Sequence, residues 1–431
     1  MSERKRIGVM GAGAIGRRHL ELIAASPECV LAGIADPSDA ARAFAHERGL
    51  SWYSDHRELL DQEKPDGAII GRHKPSSEYP FHLSVYRCRP ELNAVLHAHS
   101  PALVAFSIVR RLPEVNLIPM VRLICGDIVY APYALPGSQL LGDTISAEFA
   151  KGTSVVMLEN HGVVIGSGDI FKAFMAFETL ESSALLQLNA LKLGKLKLLT
   201  PAQIENSRQN NIADLPEFTP ESHSSEEKAI RRDLVKFIHR SYEQSLFTST
   251  QGTYSACLED GSFVITPYGL DRMYLEVEDL VLVRNGQREM GKNPSRSALL
   301  HAEIYAQHPE IRSVLVAHPP HVMAFAVTDT SFDPRTIPES YILLRDTVRI
   351  PFGTSFLDPK KTASIISPRT PAIISENDCL IVTGSSLLNA FDRLEVAEFT
   401  AKSILTSIGL GGIIHISDRD IQDINVAFKL G

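Results

Sequence analysis

The sequence predicts an α/β protein in which a short N-terminal βαβ segment precedes two related αβα units. Two observations lead to this prediction. A glycine-rich turn joins a β-branched strand to an amphipathic helix near the N-terminus, and a stretch that begins at residue 74 recurs at residue 293. With 431 residues, 44% of them hydrophobic and 22% charged, the chain has a globular composition. Its length suits two or three domains.

The glycine-rich turn has the spacing G-x-G-x-x-G, formed by Gly11, Gly13 and Gly16. In dinucleotide-binding folds the first glycine permits a tight turn, the second lets pyrophosphate approach the backbone, and the third lets the helix pack on the strand. The next strand, CVLAGIAD, ends in Asp36. A carboxylate there can accept hydrogen bonds from both ribose hydroxyls and repels a 2′-phosphate, which favours NAD over NADP. The alternative is a βαβ unit whose glycines serve packing alone.

Residues 4 to 70 resemble the N-terminal segment of the Gfo/Idh/MocA oxidoreductases. The resemblance implies a Rossmann-like segment over residues 1–70 and allows NAD as a cofactor. That family carries a catalytic Glu-Lys-Pro after a later strand, whereas the tripeptide at Glu63 precedes the strand that ends near Ile70. We therefore interpret it as a turn with proline punctuation. No substrate-binding sheet of an oxidoreductase is recognisable after residue 70.

An internal repeat occupies most of the remaining chain. Residues 74–106 match residues 293–325 at a constant offset, and residues 154–174 match residues 371–391. Self-similarity of this kind indicates two homologous units in tandem.

The predicted domain boundaries follow from this repeat. The first unit covers residues 71–200 and the second covers residues 226–431, joined by a polar, proline-punctuated linker over residues 201–225 that can include a short helix. Residues 226–292 read as a helix and several strands at the front of the second unit. The first unit has no counterpart to them, so we expect it to be truncated and to expose a strand edge.

A histidine constellation marks the first unit. AVLHAHSP places His97 and His99 two residues apart in a strand pattern, which puts both imidazoles on one face of a sheet. LENHGVV adds His161 at the end of another apolar run, and Glu78 precedes His97 by 19 residues. Three imidazoles with open positions are typical of a catalytic metal site, for which zinc is the natural occupant. A nearby glutamate can move protons.

The motifs KPSSE, HAHSP and ENHG resemble those of the class II aldolase/adducin family, over residues 71–190 and again over residues 226–405. The resemblance implies that Glu78 is the general acid/base and that Ser76 and Ser77 hydrogen-bond a substrate phosphate. It also implies a ligand set for Zn²⁺ or another divalent metal: His97, His99 and His161.

The fold class implied is a Rossmann-like βαβ segment followed by two class II aldolase-like αβα units, the first truncated at its front. The activity implied is that of a metal-dependent carbon–carbon lyase acting on a sugar phosphate or related hydroxy-carbonyl compound through a metal-stabilised enediolate. Glu78 favours an aldolase over the family's epimerases, which tend to carry aspartate. Dehydratases and decarboxylases of the family also use glutamate, so these activities stay open. A small-molecule substrate and a homo-oligomer follow by the same analogy.

The second unit lacks most of this constellation. The repeat offsets place Ser297 where the first unit has Glu78, and they place a set of three residues at the histidine positions. These are Val316, His318 and Asp378. One imidazole of three survives, so we expect the metal site of the second unit to be lost and His318 to be a packed histidine.

Two other functions remain open. One is an NAD-dependent oxidoreductase or nucleotide-binding protein that acts through the N-terminal segment. The other is a non-catalytic, adducin-like module, against which the retained histidines and Glu78 argue.

Composition excludes several classes of partner. A net charge of −8 gives no general attraction to nucleic acid or to anionic membranes. Five cysteines, far apart and without a C-x-x-C pair, suit a reducing compartment. Without an apolar signal segment or an apolar run long enough to span a bilayer, we expect a cytoplasmic protein.

Overall fold

A computed structural model of the protein describes residues 4–70, 76–208 and 213–430. It divides the chain into two compact units, Met1–Tyr79 and Pro80–Gly431. The second repeat and most of the first lie in the second compact unit, whereas residues 76–79 of the first repeat belong to the first compact unit. The boundary predicted at residue 71 falls outside the described residues, and the predicted domain limits stay predictions.

The first compact unit is a parallel sheet with helical crossovers. Its elements in chain order are β1 (Lys5–Met10), α1 (Ala14–Ala25), β2 (Cys29–Ala35), α2 (Asp39–Glu47), β3 (Trp52–Tyr53), α3 (His56–Glu63) and β4 (Gly67–Ile70). The strand order is β3-β2-β1-β4, with every described pairing parallel. Because parallel strands share one carboxyl edge, the glycine turn after β1 and Asp36 after β2 lie at the same edge.

Local sequence explains where these helices begin and end. Ser38 accepts a hydrogen bond from the amide of Ala41 and caps α2, and Asp55 caps α3 in the same way. Lys64 closes α3 in the left-handed conformation, with φ of 43°. The Glu63–Pro65 tripeptide is therefore a helix-to-strand turn, which confirms the prediction made for it.

The first repeat supplies the first part of the second compact unit. Its elements are α4 (Tyr79–Cys88), β5 (Ala94–Ala98), α5 (Pro101–Ile108), α6 (Pro119–Cys125), β6 (Ile128–Ala131), α7 (Gln139–Phe149), β7 (Val155–Leu158), β8 (Val163–Ser167) and α8 (Ile170–Ala190). The strands form a sheet in the order β5-β8-β7-β6.

The connecting segment and the second repeat complete the chain. They contain α9 (Pro201–Arg208), β9 (Glu217–Phe218), α10 (Ser225–Glu243), β10 (Thr253–Cys257), β11 (Phe263–Ile265), β12 (Val281–Arg284), β13 (Gln287–Glu289), α11 (Ala298–Gln307), β14 (Ser313–Ala317), α12 (Val322–Ala326), α13 (Pro338–Leu344), β15 (Val348–Ile350), α14 (Thr354–Leu357), α15 (Pro359–Ile365), β16 (Ala372–Ser375), β17 (Cys379–Gly384), α16 (Leu387–Ser407) and α17 (Asp418–Ala427). Two short 3₁₀ turns lie at Arg272–Tyr274 and Ile408–Leu410. The sheet order is β15-β16-β17-β14-β10-β11-β12-β13-β9.

The topology repeats as the sequence does. The order β5-β8-β7-β6 in the first repeat corresponds to β14-β17-β16-β15 in the second. In the second repeat, β14 also pairs with β10, beyond which the sheet continues through four further strands. Within the described residues β5 pairs only with β8. The structure therefore confirms the predicted fold class, including the truncated front of the first aldolase-like unit.

The two repeats share one apolar core. A single buried cluster joins Leu103, Met157 and Leu180 of the first repeat to Leu315 and Phe391 of the second. Burial of this size, at about 25 cal/mol per Å² of apolar surface, is the main force that holds the repeats together. Within the described part of the chain, no helix has the length and hydrophobicity that a bilayer crossing requires.

Candidate metal centre and nucleotide site

Three histidines of the first repeat converge on one point. His97 lies on β5, His99 follows the end of that strand, and His161 lies in the tight turn between β7 and β8. One ring nitrogen from each can be chosen so that all lie within 4.8 Å of one another, and the Nε2 atoms of His97 and His99 are 2.8 Å apart. Strands β5 and β8 are antiparallel neighbours, and this pairing brings the turn beside the end of β5.

A backbone carbonyl sets the orientation of His97. Its Nδ1 atom lies 2.9 Å from the carbonyl oxygen of Val163, which can only accept, so Nδ1 carries the proton and Nε2 presents a lone pair in the neutral ring. Burial, opposed in part by this hydrogen bond and reinforced by the nearby His161, lowers the pKa of His97 to about 4. The ring is therefore neutral at physiological pH, which is the form that binds metals.

The turn that carries His161 has a demanding backbone. Asn160 has φ of 52°, and the amide of Leu158 donates to the carbonyl of Gly162 at 2.8 Å. Asparagine is among the residues that tolerate the left-handed region best. Gly162 also lies directly against β5 and His99. The asparagine and the glycine of the ENHG sequence are therefore both required by the local backbone.

The donor set fits a divalent transition metal. Imidazole nitrogens suit zinc, copper, iron and nickel, and three of them leave a coordination position for substrate. Nitrogen atoms around a tetrahedral zinc lie roughly 3.3 Å apart, so the 2.8 Å between His97 and His99 needs only a small adjustment. Among the described residues, this is the one group of three or more His, Cys, Asp or Glu side chains with metal-ligating spacing.

The other predicted residues of this site belong to the first compact unit. Ser76 and Ser77 are exposed, and the Oγ atom of Ser76 accepts a hydrogen bond from the amide of Glu78 at 3.2 Å. Glu78 is half-buried, and its Oε2 atom is buried without a hydrogen-bond partner among the described residues. The roles assigned to Glu78, Ser76 and Ser77 stay predictions.

A fourth histidine lies close to the triad. His82, on α4, is near enough for its charge to affect the ionisation of His97, and its ring stacks on Phe81 at 4.5 Å. The sequence contained a signal for it, because His82 recurs as His301 in the second repeat. Its spacing from His97 matches no ligand pattern.

The second repeat replaces the triad with other contacts. Val316 on β14 is buried, and the Oδ2 atom of Asp378 accepts hydrogen bonds from Ser355 at 2.7 Å and from Ser375 at 3.2 Å. The backbone amide of His318 donates to the carbonyl of Leu246 at 2.9 Å. Its ring nitrogen Nδ1 is buried without a hydrogen-bond partner among the described residues.

The glycine-rich turn of the first compact unit has a different geometry at each of its three glycines. Gly11 has φ of +94°, and its amide donates to the carbonyl of Ala35. A Cβ atom on Gly16 would lie 1.8 Å from the carbonyl oxygen of Gly11, so the helix can approach the turn only with glycine there. A Cβ atom on Gly13 would have nothing within 4 Å, which leaves the space that a pyrophosphate needs.

Asp36 is tied to the glycine turn. Its Oδ2 atom accepts a hydrogen bond from the amide of Ala12 at 2.7 Å, and its Oδ1 atom accepts from the hydroxyl of Ser38 at 2.6 Å. Burial raises the pKa of Asp36, but the hydrogen bonds from Ser38 and Ala12 outweigh it and the net pKa is lowered. The residue is thus an ionised acceptor at the carboxyl edge of the sheet. Its role towards ribose stays a prediction.

Comparison with known proteins places the chain in a family. The family model described as the Class II Aldolase and Adducin N-terminal domain matches residues 54–188 and 232–405, more than half of the chain. The chain therefore belongs to the class II aldolase/adducin family. Residues 5–86 match the model of the oxidoreductase family with an NAD-binding Rossmann fold. Both predicted resemblances are confirmed. The aldolase match begins before residue 71, where we placed the junction, and the oxidoreductase match ends after it, so that the two matches overlap over residues 54–86.

Curated relatives include enzymes with different activities. A 5-deoxy-D-ribulose 1-phosphate aldolase from Bacillus thuringiensis serovar kurstaki is 34% identical over 160 residues, 37% of this chain and 74% of the relative. A 3-oxo-tetronate 4-phosphate decarboxylase from Haemophilus influenzae is 34% identical over 152 residues, 34% of this chain and 70% of the relative. An L-fuculose phosphate aldolase from Methanocaldococcus jannaschii is 34% identical over 124 residues, 28% of this chain and 65% of the relative.

Proposed function

We propose that this protein is a metal-dependent class II aldolase-type lyase that acts on a sugar phosphate or a related hydroxy-carbonyl compound. The observation that carries the proposal is the convergence of His97, His99 and His161, with ligand atoms within 4.8 Å of one another. Zn²⁺ is the ion that this donor set suits best. Family membership and the enzymes among the relatives support a lyase over a purely structural module.

The chain's own residues would divide the work between binding and proton transfer. His97, His99 and His161 would hold the ion, which would supply Lewis-acid polarisation of neighbouring substrate oxygens. The Val163 carbonyl keeps His97 in the tautomer whose Nε2 lone pair faces the other two rings. Glu78 would carry the proton between substrate carbons and solvent, and Ser76 and Ser77 would hydrogen-bond the phosphate.

The different activities of the relatives share one chemical step. Aldol cleavage and decarboxylation of a 3-oxo acid both break a carbon–carbon bond one atom away from a carbonyl. In each case the bonding electron pair passes towards that carbonyl oxygen, and the carbon is then protonated. One electrophile and one proton-transferring group can therefore serve either reaction. We take this shared step as the proposed chemistry.

Metal analysis of the full chain tests the ligand set. We expect about one zinc per chain in the wild type and loss of it in His97→Ala and His99→Ala, because two imidazoles hold a divalent ion far more weakly than three. His415→Ala, at an exposed position, is the matched control. Wild-type protein that binds no divalent ion after zinc loading would refute the proposal.

Product analysis tests the chemistry. The metal-loaded protein should release an aldehyde from L-fuculose 1-phosphate or 5-deoxy-D-ribulose 1-phosphate, or carbon dioxide from 3-oxo-tetronate 4-phosphate. Glu78→Gln should retain the metal and lower kcat by roughly 10²- to 10⁴-fold, the usual contribution of a positioned acid/base. A Glu78→Gln variant with wild-type kcat would remove Glu78 from the mechanism.

A second function has its own support in the first compact unit. The open space at Gly13, the left-handed Gly11 and the ionised Asp36 fit the phosphate and ribose of NAD. We infer that this unit binds NAD. A calorimetric titration with NAD and NADP tests the inference, and preference for NADP would contradict the role given to Asp36. The predicted homo-oligomer is tested separately by light scattering.

A further inference from the structure

The internal repeat continues past the helices α8 and α16. Residues 191–200, LKLGKLKLLT, follow α8, and residues 408–417, IGLGGIIHIS, follow α16 at the same offset that relates the two helices. Apolar residues recur at equivalent positions of both stretches, and a leucine-glycine pair is identical in the two. We call these stretches the first tail and the second tail.

Each tail runs along its own repeat in the same way. The amide of Leu199 donates to the carbonyl of Asn116 at 2.8 Å, and the amide of Ile416 donates to the carbonyl of Arg335 at 2.9 Å. Leu199 and Ile416 are repeat counterparts, and so are Asn116 and Arg335. The two tails are therefore presented at equivalent places on their repeats.

The first tail also lies against the second repeat. The amide of Lys197 donates to the carbonyl of Val327 at 2.8 Å, and the side-chain amide of Asn377 donates to the carbonyl of Lys197 at 2.7 Å. Val327 and its neighbour Thr328 are fully buried. The contact between a tail and the following repeat is thus part of the folded chain.

The second tail leaves its apolar side chains bare. Leu410 is 88% exposed, Ile414 is 92% exposed, and Ile413 is exposed as well. Their counterparts in the first tail are all half-buried: Leu193, Leu196 and Lys197. The second tail and α16 also border a groove of about 360 Å³, so space for a partner adjoins the bare side chains.

The first repeat exposes the surface that would receive a tail. Ile108 and Val109 are the counterparts of the two buried residues on the second repeat, but they are 58% and 61% exposed. Asn160 is exposed too, and it has the same φ of 52° as its counterpart Asn377. We call residues 108–110 and 159–160 the receiving surface. Its backbone is built for a tail, and its apolar side chains are uncovered.

The charges of the two contacts differ in a compensating way. Lys197 of the first tail pairs with two carboxylates of the second repeat, at 3.0 Å and 3.4 Å: Glu376 and Asp329. Their counterparts on the receiving surface are Glu159 and Arg110, which lie 3.7 Å apart and offset each other. The second tail has Ile414 in place of the lysine. An apolar residue therefore suits a surface that neutralises its own acid.

We propose that the second tail of one chain binds the receiving surface of a second copy, as the first tail binds the second repeat within each chain. Exposed apolar patches commonly mark such contacts. Two copies satisfy both surfaces, because each gives its second tail and accepts the tail of the other, so the assembly is a closed dimer of four repeats. This contact is independent of the metal centre and of the lyase activity proposed above.

Light scattering coupled to size-exclusion chromatography of the full chain tests the assembly. We expect the mass of two chains for the wild type and of one chain for Ile414→Asp and Ile108→Asp, since each variant buries a charge in the contact. Leu388→Asp is the control, because Leu388 and its counterpart Phe171 are both exposed and the repeat therefore predicts no contact there. Circular dichroism checks that each variant is folded.

A disulfide experiment distinguishes this contact from any other dimer. Because Lys197 bonds to Val327 within a chain, residue 414 of one copy should lie beside residue 108 of the other, within reach of a disulfide. Co-expressed Ile108→Cys and Ile414→Cys chains should give a disulfide-linked dimer after oxidation, and neither variant alone should do so. A monomeric wild type, a dimeric Ile414→Asp variant, or no cross-link between the co-expressed chains would overturn the proposal.

Discussion

A Cβ atom added to Gly162 would lie 2.4 Å from the carbonyl oxygen of Ala98, and 2.8 Å from the Cδ2 atom of His99. The turn that carries His161 therefore approaches the end of β5 as closely as only glycine allows. This close approach is what brings His161 to the two histidines of the strand. The convergence of the three imidazoles depends on the absence of a side chain at Gly162.

Replacement of Gly162 by alanine should weaken metal binding and lower stability. The new methyl group meets a backbone oxygen that cannot swing aside, so the turn must move away from β5 and take His161 with it. We expect metal affinity to fall roughly 10- to 100-fold, as for other changes that disturb ligand orientation. We also expect a loss of about 1–3 kcal/mol in the free energy of unfolding.

Gly168→Ala is the matched control for this prediction. Gly168 follows β8, six residues after Gly162, and a Cβ atom there would have nothing within 4 Å. Zinc titration and urea denaturation of both variants give the comparison. Equal metal affinities for Gly162→Ala and the wild type would show that the turn can shift without moving His161.

The sequence predicted that the three histidines would lie together, but it could not predict how their rings are oriented. Two histidines at a spacing of two in a strand must share a face, so His97 and His99 were within reach of sequence reasoning. The proton on His97 is placed by the carbonyl of Val163, 66 residues away, and a backbone atom leaves no trace in the amino-acid sequence. The close approach of Gly162 to Ala98 is a tertiary fact of the same kind.

The sequence also missed parts of the fold that depend on distant pairing. Glu217 and Phe218 form β9, which adds in parallel to β13 at the edge of the nine-stranded sheet. We expected a linker there, because two residues between polar, proline-punctuated stretches carry no periodicity to read. The short helix anticipated in that linker is present as α9.

Removal of the buried guanidinium of Arg231 should strongly destabilise the second repeat. Arg231 on α10 donates to Glu227 at 2.7 Å and to Glu289 on β13 at 2.7 Å, and all three residues are buried. Arg231→Met would leave two carboxylates without their shared partner, at a cost of about 3–5 kcal/mol. Arg232→Met, at the exposed neighbouring position, should change the free energy of unfolding by less than about 0.5 kcal/mol.

Chemical denaturation at pH 7.5 measures the free energy of unfolding of both arginine variants. The structural prediction is contradicted if Arg231→Met and Arg232→Met unfold at the same denaturant concentration.

Acidification should destabilise the protein partly through His301. Burial lowers the pKa of this histidine to about 3, and its Nδ1 atom lies 2.6 Å from the hydroxyl of Ser255. The unfolded chain takes up the proton near pH 6.5 and the folded chain does not, so stability is lost as pH falls below 6.5. Between pH 7.5 and pH 5 the loss from this one group should be about 2 kcal/mol.

The variant His301→Gln isolates this contribution. We expect it to be less stable than the wild type at pH 7.5, because the hydrogen bond to Ser255 changes. The difference in the free energy of unfolding should narrow on acidification, because only the wild type loses stability through protonation of His301 in the unfolded chain. His415→Gln at an exposed position is the control. Parallel pH profiles for the wild type and His301→Gln, in guanidinium unfolding at constant ionic strength, would disprove the assignment.

Alanine substitutions at two glycines of the N-terminal turn should have opposite consequences. In Gly16→Ala the new Cβ atom would lie 1.8 Å from the carbonyl oxygen of Gly11, so α1 must separate from the turn and the first compact unit should lose stability. In Gly13→Ala nothing lies within 4 Å of the new Cβ atom, and φ of −66° suits alanine, so the unit should stay folded.

The methyl group added in Gly13→Ala nevertheless occupies the space proposed for the pyrophosphate. We therefore expect Gly13→Ala to keep the wild-type circular dichroism and melting temperature and to bind NAD at least tenfold more weakly in calorimetry. If Gly13→Ala binds NAD as the wild type does, the nucleotide does not approach this turn, and the glycines serve helix packing alone.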